Sequence, residues 1–195
     1  MLPTIAEIEA LHRKYAPDDT VFTLVWTHCR IVRDIALQLL EAKSQPGIDA
    51  QLVEAGCLLH DIGTYKLYKD GSFDRSRYIT HGIEGDALLE QEGYDERLCR
   101  IASHHTGTGL TKQDIIAQSL PLPHEDFMAE TQEERLVMYA DKFHSKAPRF
   151  NSYAAYSQTI RGFGDANLRR FEELAAEFGI PNLDMLAKVY EQPIV

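Results

Sequence analysis

The stretch LLHDIG at residues 58–63 closes a segment whose apolar side chains recur at helical spacing. The buried face of this predicted helix carries Leu52, Val53, Gly56 and Leu59. His60 lies on the same face, and the carboxylate of Asp61 follows directly. An imidazole and a carboxylate in the core require partners, because an unpaired buried polar group costs about 1 to 3 kcal/mol. The stretch therefore predicts that further polar side chains, or a cation, face His60 and Asp61.

Two other predicted helices also place a histidine on an apolar face. In the segment after residue 19, His28 lies in the middle of a face formed by Leu24, Ile31, Val32, Ile35 and Leu39. His81 shares its face with Gly85 and Leu88. Both imidazoles are therefore expected to point into the core.

The segment around residue 100 contains two adjacent histidines. His105 lies on one helical face with Leu98 and Ala102, and His104 is rotated from that face by about 100°. We expect His105 to point inward, with His104 as the alternative if the helix ends early. In a later predicted helix, Asp141 lies at the edge of an apolar face formed by Leu136, Val137, Ala140 and Phe143.

Taken together, these side chains indicate a metal centre. A single histidine on an apolar face is more often a hydrogen-bonded core residue than a ligand, but here four helices and two carboxylates converge. Imidazole and carboxylate suit a divalent transition metal, with iron or manganese favoured and zinc, cobalt or nickel as alternatives. The ligands exceed four, so one or two ions are expected, with Asp61 bridging a pair about 3.5 to 4 Å apart.

Length, composition and net charge limit the kinds of fold and of binding partner that fit the sequence. The 195 residues, 44% of them apolar and 26% charged, fit one ordinary globular domain spanning 1–195. A formal charge of −10 makes a long nucleic acid an unfavourable partner. A small phosphorylated substrate remains compatible with it, because local cations or a metal dominate the field at their own site.

Targeting and redox features are sparse. The sequence has no apolar run long enough to span a bilayer and no signal-peptide layout at its start, which predicts a cytoplasmic protein without membrane partners. Cys29, Cys57 and Cys99 form no CxxC pair, so we expect three buried thiols.

The periodicity predicts an all-α, multi-helix fold. The predicted helices cover 3–15, 19–43, 49–62, 77–92, 95–105, 111–117, 131–146, 165–178 and 182–191. Gly63 and Gly93 are expected to end two of them, and Thr131 with Glu134 resembles a capping box. Two longer loops are expected at 64–76 and 119–130. The final helices, 165–191, are amphipathic and either close the core or form a homodimer surface.

His28, the His60-Asp61 pair and Asp141 in YADK resemble the H, HD, D signature of the HD superfamily of metal-dependent phosphohydrolases. His81 in HGIEGDALL and His105 in HHTGTG resemble the extended pattern of dinuclear members, such as the HD-type diadenosine tetraphosphate hydrolases. These motifs lie within residues 28–146. The longer signature of HD-GYP phosphodiesterases is absent from the sequence, which disfavours that activity.

The resemblance implies a ligand assignment and an activity. It assigns His28, His60 and Asp141 to one ion, His81 and His105 to a second, and Asp61 to both. The implied reaction is attack of metal-bound hydroxide on a phosphate ester or anhydride of a small molecule, with a nucleotide or dinucleotide expected. A di-iron oxygenase acting on a phosphonate or polyol, and a non-catalytic nucleotide sensor, are the alternative hypotheses.

Several other residues are candidates for catalysis or substrate binding because of their positions in the sequence. Asp61, with Lys66, Lys142 and Lys146, is expected to take part in catalysis. Substrate binding is assigned to Lys66, Tyr68, Lys146 and Arg149, although cations at a helix end are equally typical of a solvated surface. Tyr65 and Tyr78 are further candidates for stacking on a base.

The remaining histidines are placed by elimination. His12 and His124 lie on no apolar face, so we expect surface residues. His144 is expected either to hydrogen-bond a ligand carboxylate or to be partly exposed on its helix. Trp26 is expected in the core.

Overall fold

The computed structural model describes residues 1–43, 45–69 and 71–195. Its α-helices are α1 (Ile5–Tyr15), α2 (Asp19–Ala42), α3 (Ala50–Leu59), α4 (His81–Gln91), α5 (Glu96–His104), α6 (Lys112–Ala117), α7 (Gln132–Asp141), α8 (Tyr153–Arg161), α9 (Asp165–Phe178) and α10 (Leu183–Val189). Short 3₁₀ helices cover Ile62–Leu67 and Arg75–Thr80. The all-α prediction is confirmed; Asp70, in the predicted loop 64–76, lies outside the described residues.

Two small antiparallel hairpins interrupt the helices. Strand β1 (Tyr68–Lys69) pairs with β2 (Ser72–Phe73), and β3 (His144–Ser145) pairs with β4 (Arg149–Phe150). The second hairpin follows α7 directly, which is why that helix ends at Asp141 and not at the predicted residue 146. Helix α8 was not predicted at all, because its sequence YAAYSQTIR carries few strongly apolar residues.

The core is a bundle in which α2, α3, α5 and α7 pack on one another, with α4 against α5 and the first 3₁₀ helix. The buried face of α2 agrees with the prediction except at Leu24, which is 38% exposed. Near the start of that helix, the buried face carries Val21, Phe22 and Val25 instead. Trp26 is buried, as expected. Helix α9 adds two fully enclosed rings, those of Phe171 and Phe178, around Tyr139.

Gly63 has a role that differs from the predicted one. Helix α3 ends at Leu59, and Gly63 lies inside the 3₁₀ helix that follows. A Cβ at this position would overlap the carbonyl oxygen of His81 and the backbone nitrogen of Gly85. The glycine therefore lets the start of α4 approach the end of α3, and this brings His81 to the HD pair.

Other local expectations agree with the structure. Gly93 follows α4 with a φ of +76°, a conformation that favours glycine. Thr131 and Glu134 form the predicted capping box at the start of α7. All three cysteines are buried. Within the described residues, no helix combines the length and apolarity that a membrane crossing requires.

Candidate metal centre

The six side chains predicted to hold metal converge in the structure, one from the middle of α2 and the other five from the ends of helices. They are His28 on α2, His60 and Asp61 at the end of α3, His81 at the start of α4, His105 directly after α5, and Asp141 at the end of α7. Asp141 retains 17% side-chain exposure, and the side chains of the other five are at most 5% exposed. The close packing of α4 against the 3₁₀ helix at Gly63 assembles the two halves of this cluster.

Asp61 lies between the two halves and turns one carboxylate oxygen to each. Its Oδ2 is 3.1 Å from Nε2 of His28 and 3.5 Å from Nε2 of His60. Its Oδ1 is 3.4 Å from Nε2 of His81 and 3.7 Å from Nε2 of His105. This carboxylate therefore has the orientation of a bridging ligand.

A second carboxylate belongs to one half alone. Oδ1 of Asp141 is 3.0 Å from Nε2 of His28 and 3.4 Å from Nε2 of His60. We call His28, His60, Asp141 and the Oδ2 side of Asp61 the first half-site. His81, His105 and the Oδ1 side of Asp61 form the second half-site.

Three of the imidazoles are oriented by their own helical turns. His60, His81 and His105 each donate Nδ1–H to the carbonyl oxygen three residues earlier, at 2.7, 2.6 and 2.7 Å. A carbonyl oxygen only accepts hydrogen bonds, so the proton of each neutral ring is fixed on Nδ1. The lone pair of Nε2 then faces the centre of the cluster, as a metal ligand requires.

His28 is oriented differently, through a relay of two side chains. Nε2–H of His144 donates to Oε1 of Gln192 at 2.7 Å, which leaves Nδ1 of His144 as an acceptor. Nδ1–H of His28 donates to this atom at 2.8 Å. His144, which is 5% exposed, thus contacts the imidazole of His28 and not a carboxylate of the cluster.

With these orientations, nitrogen lone pairs face each other at short distances. A bound cation would relieve these unfavourable contacts. Nε2 of His81 lies 3.0 Å from Nε2 of His105, and Nε2 of His28 lies 3.3 Å from Nε2 of His60. In each pair both atoms present lone pairs once their Nδ1 atoms donate. Oδ1 of Asp61 is buried and has no hydrogen-bond partner among the described residues. The donor set and its geometry therefore fit divalent metal ions.

The pKa shifts of His81, His105 and Asp61 are also compatible with metal binding. Burial lowers the pKa of His81 to about 3 and also lowers that of His105, so both rings are neutral near pH 7. Burial opposes ionisation of Asp61, yet Lys146 and His60 hold its pKa well below the ordinary value. Burial also lowers the pKa of His60, but the charge of Asp61 outweighs it and raises that pKa, so a proton and a metal compete for His60.

Two lysines bring positive charge to the cavity over the cluster, which has a volume of about 280 Å³. Nζ of Lys142 donates to Oδ2 of Asp141 at 2.6 Å and to the carbonyl oxygen of His105 at 2.9 Å. Nζ of Lys146 forms an ion pair with Oδ2 of Asp61. Burial lowers the pKa of both lysines, but the neighbouring carboxylates outweigh it and raise both values, so both are charged.

Three residues that the sequence analysis assigned to substrate lie outside this cavity. Lys66 is exposed, and its Nζ lies 5.2 Å from the ring of Tyr15. Tyr68 packs on Phe73 with a centroid distance of 5.0 Å. Arg149 is exposed on β4. The 3₁₀ helix and the two hairpins, which the periodicity did not predict, turn these side chains away.

The structure distinguishes the two adjacent histidines. His105 enters the cluster, whereas Nδ1 of His104 lies 2.8 Å from Oγ of Ser103 and 3.0 Å from the carbonyl oxygen of Arg100. The ring of His104 packs on Phe127. The helical phase inferred from the sequence therefore agrees with the structure, and metal binding by His105 stays a prediction.

Sequence reasoning missed or misplaced several other residues. Asn151 and Tyr156 also line the cavity, and no periodic signal marks them; Tyr78, which the sequence analysis named as a stacking candidate, lines it as well. His12, predicted at the surface, is buried and bonds the carbonyl oxygen of Leu58 at 2.8 Å. That prediction was wrong because a buried histidine satisfied by backbone needs no polar face. His124 is exposed, as expected.

Comparison with known proteins places this geometry in a family. A family model described as HD domain matches residues 25–146, the interval that contains all six side chains of the cluster. A protein of Methanocaldococcus jannaschii, described as uncharacterized, is 39% identical over 116 residues, which are 58% of this chain and 62% of that protein.

Two further relatives are tRNA (cytidine(56)-2'-O)-methyltransferases. Those of Picrophilus torridus and Thermoplasma volcanium are 34% and 31% identical to the chain, each over 66% of its length. The matched regions are 36% and 32% of the two enzymes. The chain therefore spans less than two thirds of these relatives.

Among solved structures, the HD domain of the L. monocytogenes phosphodiesterase PgpH in complex with cyclic-di-AMP matches with a TM-score of 0.53. The identity is 16%, and the match covers 95% of this chain and 98% of that chain. A second crystal structure of the same domain gives a TM-score of 0.54. This likeness concerns the fold and agrees with the helical architecture described above.

Proposed function

The chain belongs to the HD domain family, and from this premise we propose that it is a metal-dependent phosphohydrolase acting on a small phosphate ester or anhydride. One observation carries the proposal: the two oxygens of Asp61 face separate pairs of imidazole Nε2 atoms. Two ions about 3.5 to 4 Å apart, sharing one bridging carboxylate, are typical of phosphatases. When bound, such ions supply Lewis acidity toward phosphoryl oxygens and lower the pKa of a coordinated water.

In the proposed ligand set, His28, His60 and Asp141 hold one ion, His81 and His105 hold the second, and Asp61 contacts both. The fixed Nδ1–H bonds direct Nε2 of His60, His81 and His105 at the cluster; His81 and His105 are neutral before metal arrives, whereas His60 has to lose a proton to bind it.

The lysines of the cavity would bind and stabilise the phosphoryl group. Lys142 is buried and Lys146 is partly buried; both are charged and already directed at Asp141 and Asp61. Fixed cations in a site that excludes water stabilise the charge that develops on phosphoryl oxygens. The proposal leaves out Lys66, Tyr68 and Arg149, because these side chains lie outside the cavity.

A nucleotide or dinucleotide is the proposed substrate class. The similar HD domain of PgpH was crystallised with cyclic-di-AMP, a small molecule with two phosphates and two bases. Relatives that are tRNA methyltransferases make an RNA end a second substrate to test, although the net charge of −10 disfavours a long polyanion.

The test is metal analysis of the purified protein followed by anaerobic assays of phosphate release. Nucleotides, dinucleotides and short RNA ends form the substrate panel, with iron, manganese or zinc restored in separate samples. About two ions per chain and phosphate release without oxygen would support the proposal. Two irons with oxygen uptake and no phosphate release would indicate an oxygenase, and binding without any turnover would indicate a sensor.

A further inference from the structure

A second cavity adjoins the metal centre and takes no part in the chemistry described so far. Its volume is about 340 Å³, and it shares Thr106, Gly107 and Tyr156 with the cavity over the six ligands. Cavities that bind small organic ligands measure roughly 300 to 1,000 Å³. A molecule bound at the metal centre can therefore extend into this second cavity, which we call the side cavity.

Gly107 is one of the residues that line both cavities. Gly107 has a φ of +60°, and a Cβ built on it would meet no heavy atom within 4 Å. The residue follows His105 by two positions, so the lining that the two cavities share lies beside the second half-site. A ligand with a phosphate near His105 would place its next group past Gly107.

The walls of the side cavity are mostly apolar and come from two separate parts of the chain. Ile79, Leu110 and Leu120 form one part; they pack on a small core of Ile115, Leu122 and Phe127 that is distinct from the main core. Ile160 at the end of α8 and Phe163 just beyond that helix form the other part. Such walls suit an uncharged group rather than a second phosphate.

Phe163 is the unusual member of this wall. It is 64% exposed, whereas the seven other phenylalanines are buried or partly buried. An exposed aromatic ring at the edge of a cavity offers a π-face on which a planar ring can stack. The main core does not explain its position, because Phe163 is not among the side chains that pack there.

Polar side chains border the same cavity. Asp114, Gln118 and Asn167 contribute to its lining. Oδ1 of Asn167 is held by Oγ1 of Thr108 at 3.1 Å and by Arg170 at 2.7 Å, whereas Gln118 is exposed. Apolar faces with carboxamide and carboxylate groups at the border match a heterocycle, whose faces are apolar and whose edges carry hydrogen-bonding atoms.

We propose that the side cavity binds the nucleobase of a nucleotide whose phosphate lies at the metal centre, with the base stacked on Phe163. The proposal rests on the proposed function for the position of the phosphate, and it adds the site and the side chain that recognise the base. Stacking on one aromatic side chain changes affinity by on the order of 10-fold.

The first test is equilibrium binding to the full chain loaded with manganese. The probes are the four ribonucleoside 5′-monophosphates, with ribose 5-phosphate as the reference that lacks a base. At least one nucleotide should bind about 10-fold more tightly than ribose 5-phosphate. Phe163→Ala should abolish that advantage and leave the affinity for ribose 5-phosphate unchanged, whereas Phe163→Trp should preserve it.

Met185→Ala is the matched control, because Met185 is also an exposed apolar residue, at 70% exposure, and lies on α10 away from the cavity. It should retain the preference for the base. Equal affinity of every nucleotide and ribose 5-phosphate, or a preference that survives Phe163→Ala, would overturn the proposal. Circular dichroism of the variants excludes unfolding as the cause of a loss.

Failure of this inference is distinguishable from failure of the proposed function. Phosphate release from esters with and without a base at the same KM would leave the hydrolase intact and remove the base site. Nucleotide binding that depends on Phe163, with no phosphate release from any ester, would retain the base site and remove the hydrolase.

Discussion

The two half-sites of the cluster differ in charge and in what holds their imidazoles. The first half-site has a carboxylate of its own, Asp141, in addition to its share of Asp61, whereas the second has two neutral rings and only the shared carboxylate. Lys142 and Lys146 pair with these carboxylates, but the additional carboxylate donor still predicts that the first half-site binds a divalent ion more tightly. Occupancy should therefore proceed in order, with the second ion the weaker.

The half-sites also differ in the sequence separation between each imidazole and the group that orients it. In the second half-site, both rings donate to carbonyl oxygens three residues earlier, so a single helical turn fixes each one. In the first, His28 depends on His144 and Gln192, which lie 116 and 164 positions later in the sequence. The half-site that we expect to bind metal more tightly is thus the one whose geometry depends on residues far apart in the sequence.

The largest effect is expected for Asp61→Ala, because this residue is common to both half-sites. The variant should lose both ions, with affinity reduced on the order of 100-fold or more, and it should lose turnover. Metal analysis after dialysis and circular dichroism are the measurements, and the helical spectrum should persist. His124→Ala, at an exposed position away from the cluster, should behave as wild type. Full metal retention by Asp61→Ala would contradict the shared ligand.

The difference in charge is tested by Asp141→Asn against His81→Ala. Asp141→Asn removes the charge that belongs to the first half-site alone, so the tighter ion should weaken by about 10- to 100-fold. His81→Ala should instead reduce the stoichiometry from about two ions to about one and leave the tighter ion in place. Titration of manganese against a competing chelator separates these outcomes. Equal loss of both ions in the two variants would show that the half-sites do not act separately.

The second half-site also provides a test of helical phase. His105→Ala should reduce the binding of the weaker ion by on the order of 10-fold or more, because its Nε2 faces Asp61. His104→Ala should leave metal binding near wild type, since that ring contacts Ser103 and Phe127. Competition titrations of the two variants provide the comparison, and the reverse order of loss would contradict the position of His105.

The difference between local and distant groups that orient the imidazoles also explains what could be predicted from the sequence. Helical spacing was enough to bring His28, His60, His81 and His105 inward, because each lies on an apolar face that has to be buried. The same reasoning failed at Lys66, whose direction depends on a 3₁₀ helix with no apolar period. It also failed to predict α8 and the second hairpin, which contribute Tyr156 to the cavity and His144 to the relay.

His144 shows why the remaining contacts could not be predicted from the sequence. Its position three residues after Asp141 suggested one continuous helix, on which it would approach that carboxylate. The chain turns into β3 instead, and the ring meets His28 on one side and Gln192 on the other. A hydrogen bond between residues that far apart follows from tertiary packing, and no local pattern encodes it.

The smallest effect is expected for substitutions of Gln192. These variants test most directly whether residues distant in the sequence orient His28. Gln192→Leu removes the acceptor that fixes the tautomer of His144, so Nδ1–H of His28 loses its assigned partner. Loss of a group that orients a ligand histidine typically costs about 10- to 100-fold in metal affinity, and one step further along the relay we expect roughly 3- to 10-fold.

Gln192→Glu keeps an oxygen acceptor at the same distance and should restore binding of the tighter ion, whereas His144→Ala should weaken that ion more than Gln192→Leu does. Competition titration of manganese measures all three variants, and the weaker ion serves as an internal control, because backbone carbonyls hold the rings of the second half-site. If Gln192→Leu weakened both ions equally, the effect would reflect a general loss of packing rather than the relay. If it weakened neither, the orientation of His28 would depend on α2 alone.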